Sequence, residues 1–322
     1  MQTEIVKMLY NERGYVSGQE ISDALGVSRQ AVNKAVMALR DKGFGISSVT
    51  RKGYLLETFP NHLCEEAVKC HLRTKLIGKR MIVLDTVDST NNYLKKLASD
   101  DIEEGMVVVS REQTAGKGRL GRVWQTKKDD GIAFSVLLKP KLAPREIGAI
   151  TPLAGLAVCK AINDFCKIDS RIKWPNDVIA GKKKLCGILT EMSTDFDRVE
   201  YIIPGIGINV SHTSFPEEIA HKATSILLET GRHIDKNLFL ATVLNYLEDE
   251  LMKNYYKLSG QSLGEYQNLC ATINRQVTFA RGNRKISGMA VRIDSAGELE
   301  VMLSNGTVAT VNSGEVTVQG IY

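Results

Sequence analysis

Two serine-capped segments separated by one glycine constrain the start of this chain more tightly than any other feature constrains the rest. Ser17 is followed three residues later by Glu20, the spacing of a capping box, and Ile21 and Leu25 give the short helix an apolar face before Gly26 breaks it. Ser28 then caps a second helix, expected to run to about Lys42, with Ala31, Val32, Ala35, Val36 and Leu39 on its inner side. That phase turns Arg29, Gln30, Asn33, Lys34, Met37 and Arg40 outward. Helix, glycine turn, helix is the layout that presents a second helix to a DNA major groove. Residues 46–56 alternate as a hairpin with Arg51-Lys52-Gly53 near its tip, the place for a wing that touches phosphates.

The whole-chain charge of +5 is too mild to argue for nucleic acid. Between Ser28 and Gly53, however, six basic residues (Arg29, Lys34, Arg40, Lys42, Arg51, Lys52) face one acidic residue, Asp41. Ser28, Arg29, Gln30, Asn33, Lys34, Arg51 and Lys52 are therefore the expected DNA-facing set, since Arg, Gln and Asn bond base edges and Lys and Arg neutralise phosphate. The competing reading is a winged helix used only for packing or dimer contacts, its basic face merely solvated.

With 322 residues the chain has room for two or three domains, and 43% hydrophobic and 25% charged residues describe an ordinary globular composition. The start, MQTEIVKMLYNERG, lacks a signal-peptide layout, and no apolar run approaches the roughly 20 residues of a membrane span, so a cytoplasmic protein without membrane attachment is expected. Six scattered cysteines form no C-x-x-C pair and read as reduced thiols. A linker or crossing helix from residue 60 to 76 carries His62, Cys64, Cys70 and His71, whose spacing matches no common zinc pattern, so no metal ligand is assigned.

From residue 79 to about 271, β-rich runs (80–84, 106–111, 131–138, 171–174, 185–192, 199–207) alternate with helical stretches (90–99, about 146–165, 236–258), the pattern of a mixed sheet carrying helices on one face. Gly116-Lys117-Gly118-Arg119-Leu120-Gly121-Arg122 satisfies G-x-G-x-x-G literally. It fails as a dinucleotide fingerprint because the residues after it, from Val123 and Trp124 to Gly131, do not open a helix. It is no Walker loop either, since Gly118 stands where Ser or Thr is needed. Three cations interleaved with three glycines nevertheless suit a phosphate or carboxylate, because glycine lets backbone amides approach an anion. The bland alternative is a solvated glycine turn.

Lys173-Trp174-Pro175-Asn176-Asp177 reads as a turn at a strand end, and Lys182 and Lys183 as a hairpin tip. Lys184 starts a strand and can point inward, where its charge needs a partner that an anionic ligand would supply. Gly205-Ile206-Gly207-Ile208-Asn209 puts glycines at the end of an apolar strand, where they allow close backbone approach. From Thr278 onward, β runs separated by Gly282-Asn283, Ala296-Gly297 and Asn305-Gly306 predict a small β barrel.

Taken in order, Asp88-Ser89-Thr90-Asn91, Gln113 with the 116–124 loop, Lys173 to Asp177, Lys184 to Gly187 and Gly205 to Asn209 closely resemble the bifunctional biotin ligase and biotin-operon repressor family of bacteria. The resemblance implies an α+β fold: an N-terminal winged helix-turn-helix (1–60), a central biotin/lipoate ligase-like domain with a mixed sheet (61–271), and a C-terminal SH3-like β barrel (272–322). It implies ATP-dependent formation of biotinyl-5'-AMP, with Mg2+, and transfer of biotin to a lysine of biotin carboxyl carrier protein. The adenylate would also act as corepressor, promoting a homodimer on operator DNA. By resemblance the catalytic set is Arg119, Lys184 and Asp177. Biotin would be held by Ser89, Thr90, Asn91, Gln113, Lys117, Gly118, Arg119, Lys184, Gly187 and Gly205, and ATP by Gly116, Lys117, Arg119, Arg122, Trp124, Asn176 and Asn209. Arg281 and Glu315 are candidate contacts from the C-terminal domain. Lys117 stands where the family commonly has arginine, which keeps the charge but loses the planar fork. The alternatives are a non-catalytic biotin-sensing regulator and a lipoate or octanoate ligase sharing the scaffold.

Overall fold

The computed structural model describes residues 1–98, 102–124, 126–195, 198–282, 284–312, 314 and 316–322. Glu315 and the Asn283 half of an expected turn lie outside the described residues. The chain forms two compact units, residues 1–73 with 235–242, and residues 74–234 with 243–322.

In the smaller unit, α1 (Gln2–Glu12), α2 (Gly18–Leu25) and α3 (Arg29–Asp41) precede a hairpin of β1 (Gly45–Val49) and β2 (Gly53–Thr58), and α4 (Glu65–Cys70) comes after it. Both serine caps form as the sequence predicts: Ser17 and Glu20 exchange a reciprocal capping box, and Ser28 Oγ accepts the Ala31 amide at 3.2 Å. Gly26 ends α2 at φ 64°, a left-handed conformation that glycine adopts without penalty. Ile5, Leu9, Ile21, Val32, Val36 and Leu39 close one core, each 0–1% exposed. Helix α1 is not foreseen by the sequence reading; its N-cap is Met1, which offers no side-chain bond, so it carries no start signal.

The larger unit is built on a seven-stranded sheet of order β3-β4-β5-β9-β8-β7-β6. The strands are β3 (Met81–Leu84), β4 (Val107–Ser110), β5 (Gly131–Val136), β6 (Ser170–Lys173), β7 (Asp177–Ala180), β8 (Lys183–Asp195) and β9 (Arg198–Asn209). Only β3 and β4 pair in parallel, so the sheet is mixed, as expected. Its helices are α5 (Thr90–Ala98), α6 (Ile150–Cys166), α7 (Glu217–Ala220), α8 (Ile226–Thr230), α10 (Gly260–Leu269) and, from residue 243 onward, α9 (Lys236–Lys253). Pro152 sits in the first turn of α6, where its missing N–H costs no hydrogen bond. By length and apolarity the stretch 146–166 is long enough to cross a bilayer, but 72% of its most apolar window is buried inside the protein, which makes it a core helix. The Leu240, Leu244, Leu247 and Leu251 stripe of α9 is fully buried. The helix stops at Lys253 rather than Leu258, because Tyr255 and Tyr256 turn left-handed and the Tyr256 hydroxyl bonds Glu104.

Strand β7 is an addition to the expected elements: Lys173 pairs directly with Asp177, so residues 174–176 are the tip of a hairpin and Asp177 begins its return strand. At the other end, Val178 pairs with Cys186 and Ile179 with Lys184, leaving Leu185 as a bulge that re-aims Lys184. The C-terminal strands β10 (Gln276–Arg281), β11 (Arg284–Ile293), β12 (Leu299–Leu303), β13 (Val308–Val311) and β14 (Val316–Val318) form an antiparallel sheet of order β13-β12-β11-β10-β14. Trp174, 1% exposed, is fixed against this segment by its indole N–H to Gly297 O at 2.9 Å and its amide to Thr272 Oγ1 at 3.0 Å.

Where the unit's first residues meet α9, the Glu248 carboxylate accepts the amides of Lys75, Leu76 and Ile77 at 2.5, 2.8 and 2.7 Å. Glutamine there loses the charge and turns an N–H against an N–H donor, so Glu248→Gln is expected to cost about 2 kcal/mol. Both tryptophans belong to this unit, so urea unfolding monitored by tryptophan fluorescence reads the loss. An unchanged midpoint would refute the assigned role.

Candidate functional site

The floor of a cavity of about 1060 Å3 is bare backbone at three glycines. Gly187 on β8 lies opposite Gly207 on β9, and Gly205 lies between Leu189 and Ser135 on the flanking strands. A Cβ on Gly207 would stand 2.4 Å from the Trp124 ring, one on Gly187 3.0 Å from the same ring, and one on Gly205 2.2 Å from Asn91 Oδ1. The close approach expected of the glycines is therefore to Trp124, Asn91 and, at Gly187, also the Lys184 side chain, whose Cε would lie 2.9 Å from a Cβ there. Trp124 is half-buried over the strands, and the core tryptophan is Trp174.

The 116–124 loop is a small hairpin, closed by Trp124 N to Gly116 O at 2.8 Å and Gly118 N to Arg122 O at 2.7 Å. A short 3-10 turn, Arg119–Gly121, forms its tip, with Leu120 left-handed and 72% exposed. The absence of a helix start after the glycine run is what the sequence implies; the strand-like pairing is added by the structure. At the loop's far end Arg111 grips Asp129 through two bonds at 2.8 and 2.6 Å and Asp85 through a third at 2.7 Å.

Ser89, Thr90, Asn91, Gln113, Lys117, Gly118, Arg119, Arg122, Trp124, Asn176, Asp177, Lys184, Gly187, Gly205 and Asn209 all line this one cavity. Gly116 does not; its Cβ direction runs into Trp124 O at 2.3 Å. Arg119 donates to Asn176 Oδ1 at 3.0 Å and to Gly314 O at 2.8 Å, while Lys184 pairs with Asp177 at 2.6 Å. The two cations thus attach to consecutive residues of one hairpin. The partner expected for Lys184 from a ligand is already supplied by Asp177, because the bulge at Leu185 turns Lys184 toward that strand. Among the described residues, Lys117, Arg119, Arg122, Lys127, Lys173, Lys184 and Lys222 face the cavity against Asp130, Asp177 and Glu218, an excess that suits a polyanion.

Several lining residues lie beyond the sequence-predicted set. The Tyr322 hydroxyl donates to Asp177 Oδ2 and its ring lies under Lys173 Nζ, 4.0 Å from the ring centre. Burial, then the neighbouring carboxylate, pushes the phenol well above its ordinary pKa. His212 stacks on Phe215 at 5.0 Å, and burial holds its imidazole below its ordinary pKa. Segment 222–224, to which the sequence assigns no role, pairs with Lys184: its amide donates to Lys222 O, its carbonyl accepts from the Thr224 amide, and Asn209 Nδ2 donates to Thr224 O. These residues carry no local motif, and only the tertiary fold brings them to the site.

At the closed end, the Thr90 amide and hydroxyl reach Gln113 Oε1 at 2.9 and 3.2 Å. Ser135 lies 2.7 Å from the Thr90 hydroxyl and 2.5 Å from Asn91 Oδ1, and Asn91 Nδ2 donates to Glu191 at 2.8 Å. Burial opposes charge on Glu191, but bonds from Lys95 and Asn91 outweigh it and hold the carboxyl below its usual range.

On the smaller unit, Ser28, Arg29, Gln30, Asn33, Lys34, Arg51 and Lys52 are all exposed. Asn33 Nδ2 reaches the Tyr54 hydroxyl at 3.3 Å, and Arg40 is tied to the hairpin through Ile46 O at 2.8 Å and Ser48 Oγ at 3.2 Å. Arg40 thus braces the wing rather than standing free on the helix.

Adding a methyl group at Gly207 must displace the Trp124 indole. Gly207→Ala is expected to red-shift the fluorescence of Trp124 and weaken ligand binding while the urea midpoint changes little. An unshifted spectrum, read in a Trp174→Phe background, would contradict this geometry.

Comparison with known proteins agrees with the architecture. Residues 83–209 match the biotin/lipoate A/B protein ligase family, residues 2–55 an HTH domain, and residues 272–318 the biotin protein ligase C terminal domain. The bifunctional ligase/repressor BirA of Bacillus spizizenii is 41% identical over 232 residues, 71% of each chain. The protein of the same name from Escherichia coli is 27% identical over 316 residues, 98% of this chain and 96% of that one. Biotin protein ligase from Aquifex aeolicus, solved in complex with biotin and ATP, superposes with a TM-score of 0.63 at 31% identity, covering 75% of this chain and 99% of that chain. With its winged helix, ligase sheet and C-terminal sheet all matched, the chain belongs to the family of bifunctional biotin ligase/repressors.

Proposed function

We propose that this protein activates biotin with ATP, transfers it to a lysine of biotin carboxyl carrier protein in the cytoplasm, and represses transcription through its winged helix. The observation that carries the enzymatic reading is the convergence of Arg119 and Lys184 on the Asn176-Asp177 pair at the rim of a glycine-floored cavity.

In the first step a biotin carboxylate oxygen attacks the α-phosphorus of ATP, and pyrophosphate leaves. Two anions must meet, so the main task is electrostatic. Arg119 and Lys184 neutralise carboxylate and α-phosphate, and Lys117 and Arg122 hold the nucleotide side. Asp177 keeps Lys184 in place until an anion arrives, which lowers the reorganisation that binding requires. Trp124 covers the adenylate from above, and Asn209, fixed by Thr224, supports the adjoining strand end. Ser89, Thr90 and Gln113 hold the biotin ring. Among the described residues no group of three or more His, Cys, Asp or Glu is placed to cage a metal. Mg2+ would therefore ride mainly on the ATP phosphates, with Asp177 and Asn176 as its nearest oxygen donors, and would supply charge neutralisation.

In the second step the carrier lysine, as free amine, attacks the biotinyl carbonyl; AMP leaves with the C–O electron pair, and the amide forms. The amine must shed a proton first, and the Asp177 carboxylate is the acceptor at the correct end of the cavity. Incubation with ATP, biotin and an apo carrier domain is expected to yield biotinylated carrier by mass. Arg119→Gly is expected to cut adenylate synthesis or retention by about a hundredfold, the scale of losing one charge-stabilising donor, while isolated DNA binding survives. Ligation at the normal rate by Arg119→Gly would remove Arg119 from the mechanism.

Repression stems from the exposed basic face. The adenylate promotes a homodimer, and the dimer binds a two-fold operator through α3 of each copy. Operator affinity is expected to fall steeply as salt rises, with a slope that shrinks by about one on Lys34→Ala or Lys52→Ala. A flat salt dependence by fluorescence anisotropy would count against phosphate contacts.

A further inference from the structure

Asp177, the proton acceptor of the second step, has one oxygen open to exchange, and that oxygen is already bonded. Its Oδ1 is buried and pairs with Lys184 Nζ at 2.6 Å, which leaves Oδ2 for an incoming group. The Tyr322 hydroxyl donates to Oδ2. Burial and the neighbouring carboxylate push the phenol well above its ordinary pKa, so it holds its proton against Asp177. Lys173 Nζ lies 4.0 Å from the centre of the Tyr322 ring, a cation facing an aromatic surface. Ile321 beside it is 3% exposed and anchors the segment. The preceding turn is closed by Ile321 N to Val318 O at 3.2 Å, with Gly320 left-handed at φ 78°. Tyr322 itself has φ 26°, a region that non-glycine residues seldom adopt. Its side chain is therefore drawn inward by these contacts, although 37% of the residue stays exposed where it lines the cavity.

We infer that Tyr322 is a positioning residue that caps Asp177 Oδ2 until the carrier lysine arrives, and so shields the adenylate from hydrolysis. The inference rests on the ligase reading above and adds a gate to its second step. A mixed anhydride beside an open carboxylate is exposed to water. The water oxygen attacks the biotinyl carbonyl carbon, Asp177 Oδ2 takes one proton, AMP leaves with the C–O electron pair, and the new carboxyl group loses the other proton. Base assistance of that kind accelerates attack by about a hundredfold or more. Water and the carrier lysine compete for Oδ2 on unequal terms. A water that displaces the phenol exchanges one hydrogen bond for another and is itself immobilised. The lysine is delivered by a docked protein, whose remote contacts supply the free energy that turns the ring aside.

The test loads the full chain with synthetic biotinyl-5'-AMP and follows AMP release by chromatography, with and without an apo carrier domain. Intact adenylate lost to solution separates from AMP in the same run, so leakage is not mistaken for hydrolysis. Tyr322→Phe keeps the ring against Lys173 and removes only the cap. Hydrolysis without carrier, taken relative to transfer with carrier, is expected to rise about tenfold, the scale of one hydrogen bond to a charged group. Adding Asp177→Asn to Tyr322→Phe removes the uncovered base and should bring hydrolysis back to the wild-type rate or below, a reversal that a merely loosened segment would not give. An unaltered or lower ratio in Tyr322→Phe, or fast hydrolysis that persists in the double variant, overturns the proposal. Wild type that neither makes the adenylate from biotin and ATP nor transfers biotin from the loaded adenylate would instead overturn the ligase reading.

Discussion

Everything at the active centre depends on three positions in two neighbouring strands having no side chain. Gly187, Gly205 and Gly207 lie where the sheet is most closely approached, by Trp124 from above and by Asn91 from the closed end. A central strand ordinarily avoids glycine, because the residue adds backbone entropy to the unfolded chain and packs nothing. Here the loss of packing creates a flat peptide surface against which the Trp124 indole lies directly. The surrounding sheet offsets the cost: Ile206 and Ile208 alternate with the glycines and are almost fully buried on the opposite face.

That surface is neutral, so the charge needed to gather anions comes from its margins. Arg119 arrives from the hairpin loop, Lys184 from a bulge, Lys222 from a connecting segment, and Lys173 from the edge of the 173–177 hairpin. Arg119, Lys184 and Lys173 are each restrained by a short bond or stacking contact rather than by burial. A fully buried cation without a partner would lose its proton or destabilise the fold. Half-exposed cations held by Asp177, Asn176 or an aromatic face keep their charge and remain available to a ligand.

Features written in local chemistry are legible in the amino-acid order alone. Ser17, Ser28 and Gly26 announce the helix-turn-helix because capping is a contact between residues three apart. The failure of the G-x-G-x-x-G run to open a helix is readable for the same reason. Strand β7 is hidden by its brevity, four residues between a proline turn and a lysine run. Asp177 as the partner of Lys184 is invisible because it depends on where a bulge falls. Asn91 illustrates the deepest limit: its motif and the fold both put it at the cavity wall, but both ends of its amide are consumed by Glu191, Leu189 and Ser135. A residue's address can be read from a motif, whereas the direction of its hydrogen bonds requires the neighbours.

The bond from Arg119 to the main-chain oxygen of Gly314 has a different kind of consequence. The 116–124 loop at the cavity rim is tethered to the C-terminal segment by an acceptor that every amino acid possesses. The bond therefore constrains no side chain there, although the positive φ itself holds the position to glycine. What selection can act on is the path of the main chain, set by the glycine's left-handed φ of 107°. Coupling of this sort is silent in aligned sequences and would surface only when the segment is lengthened or shortened.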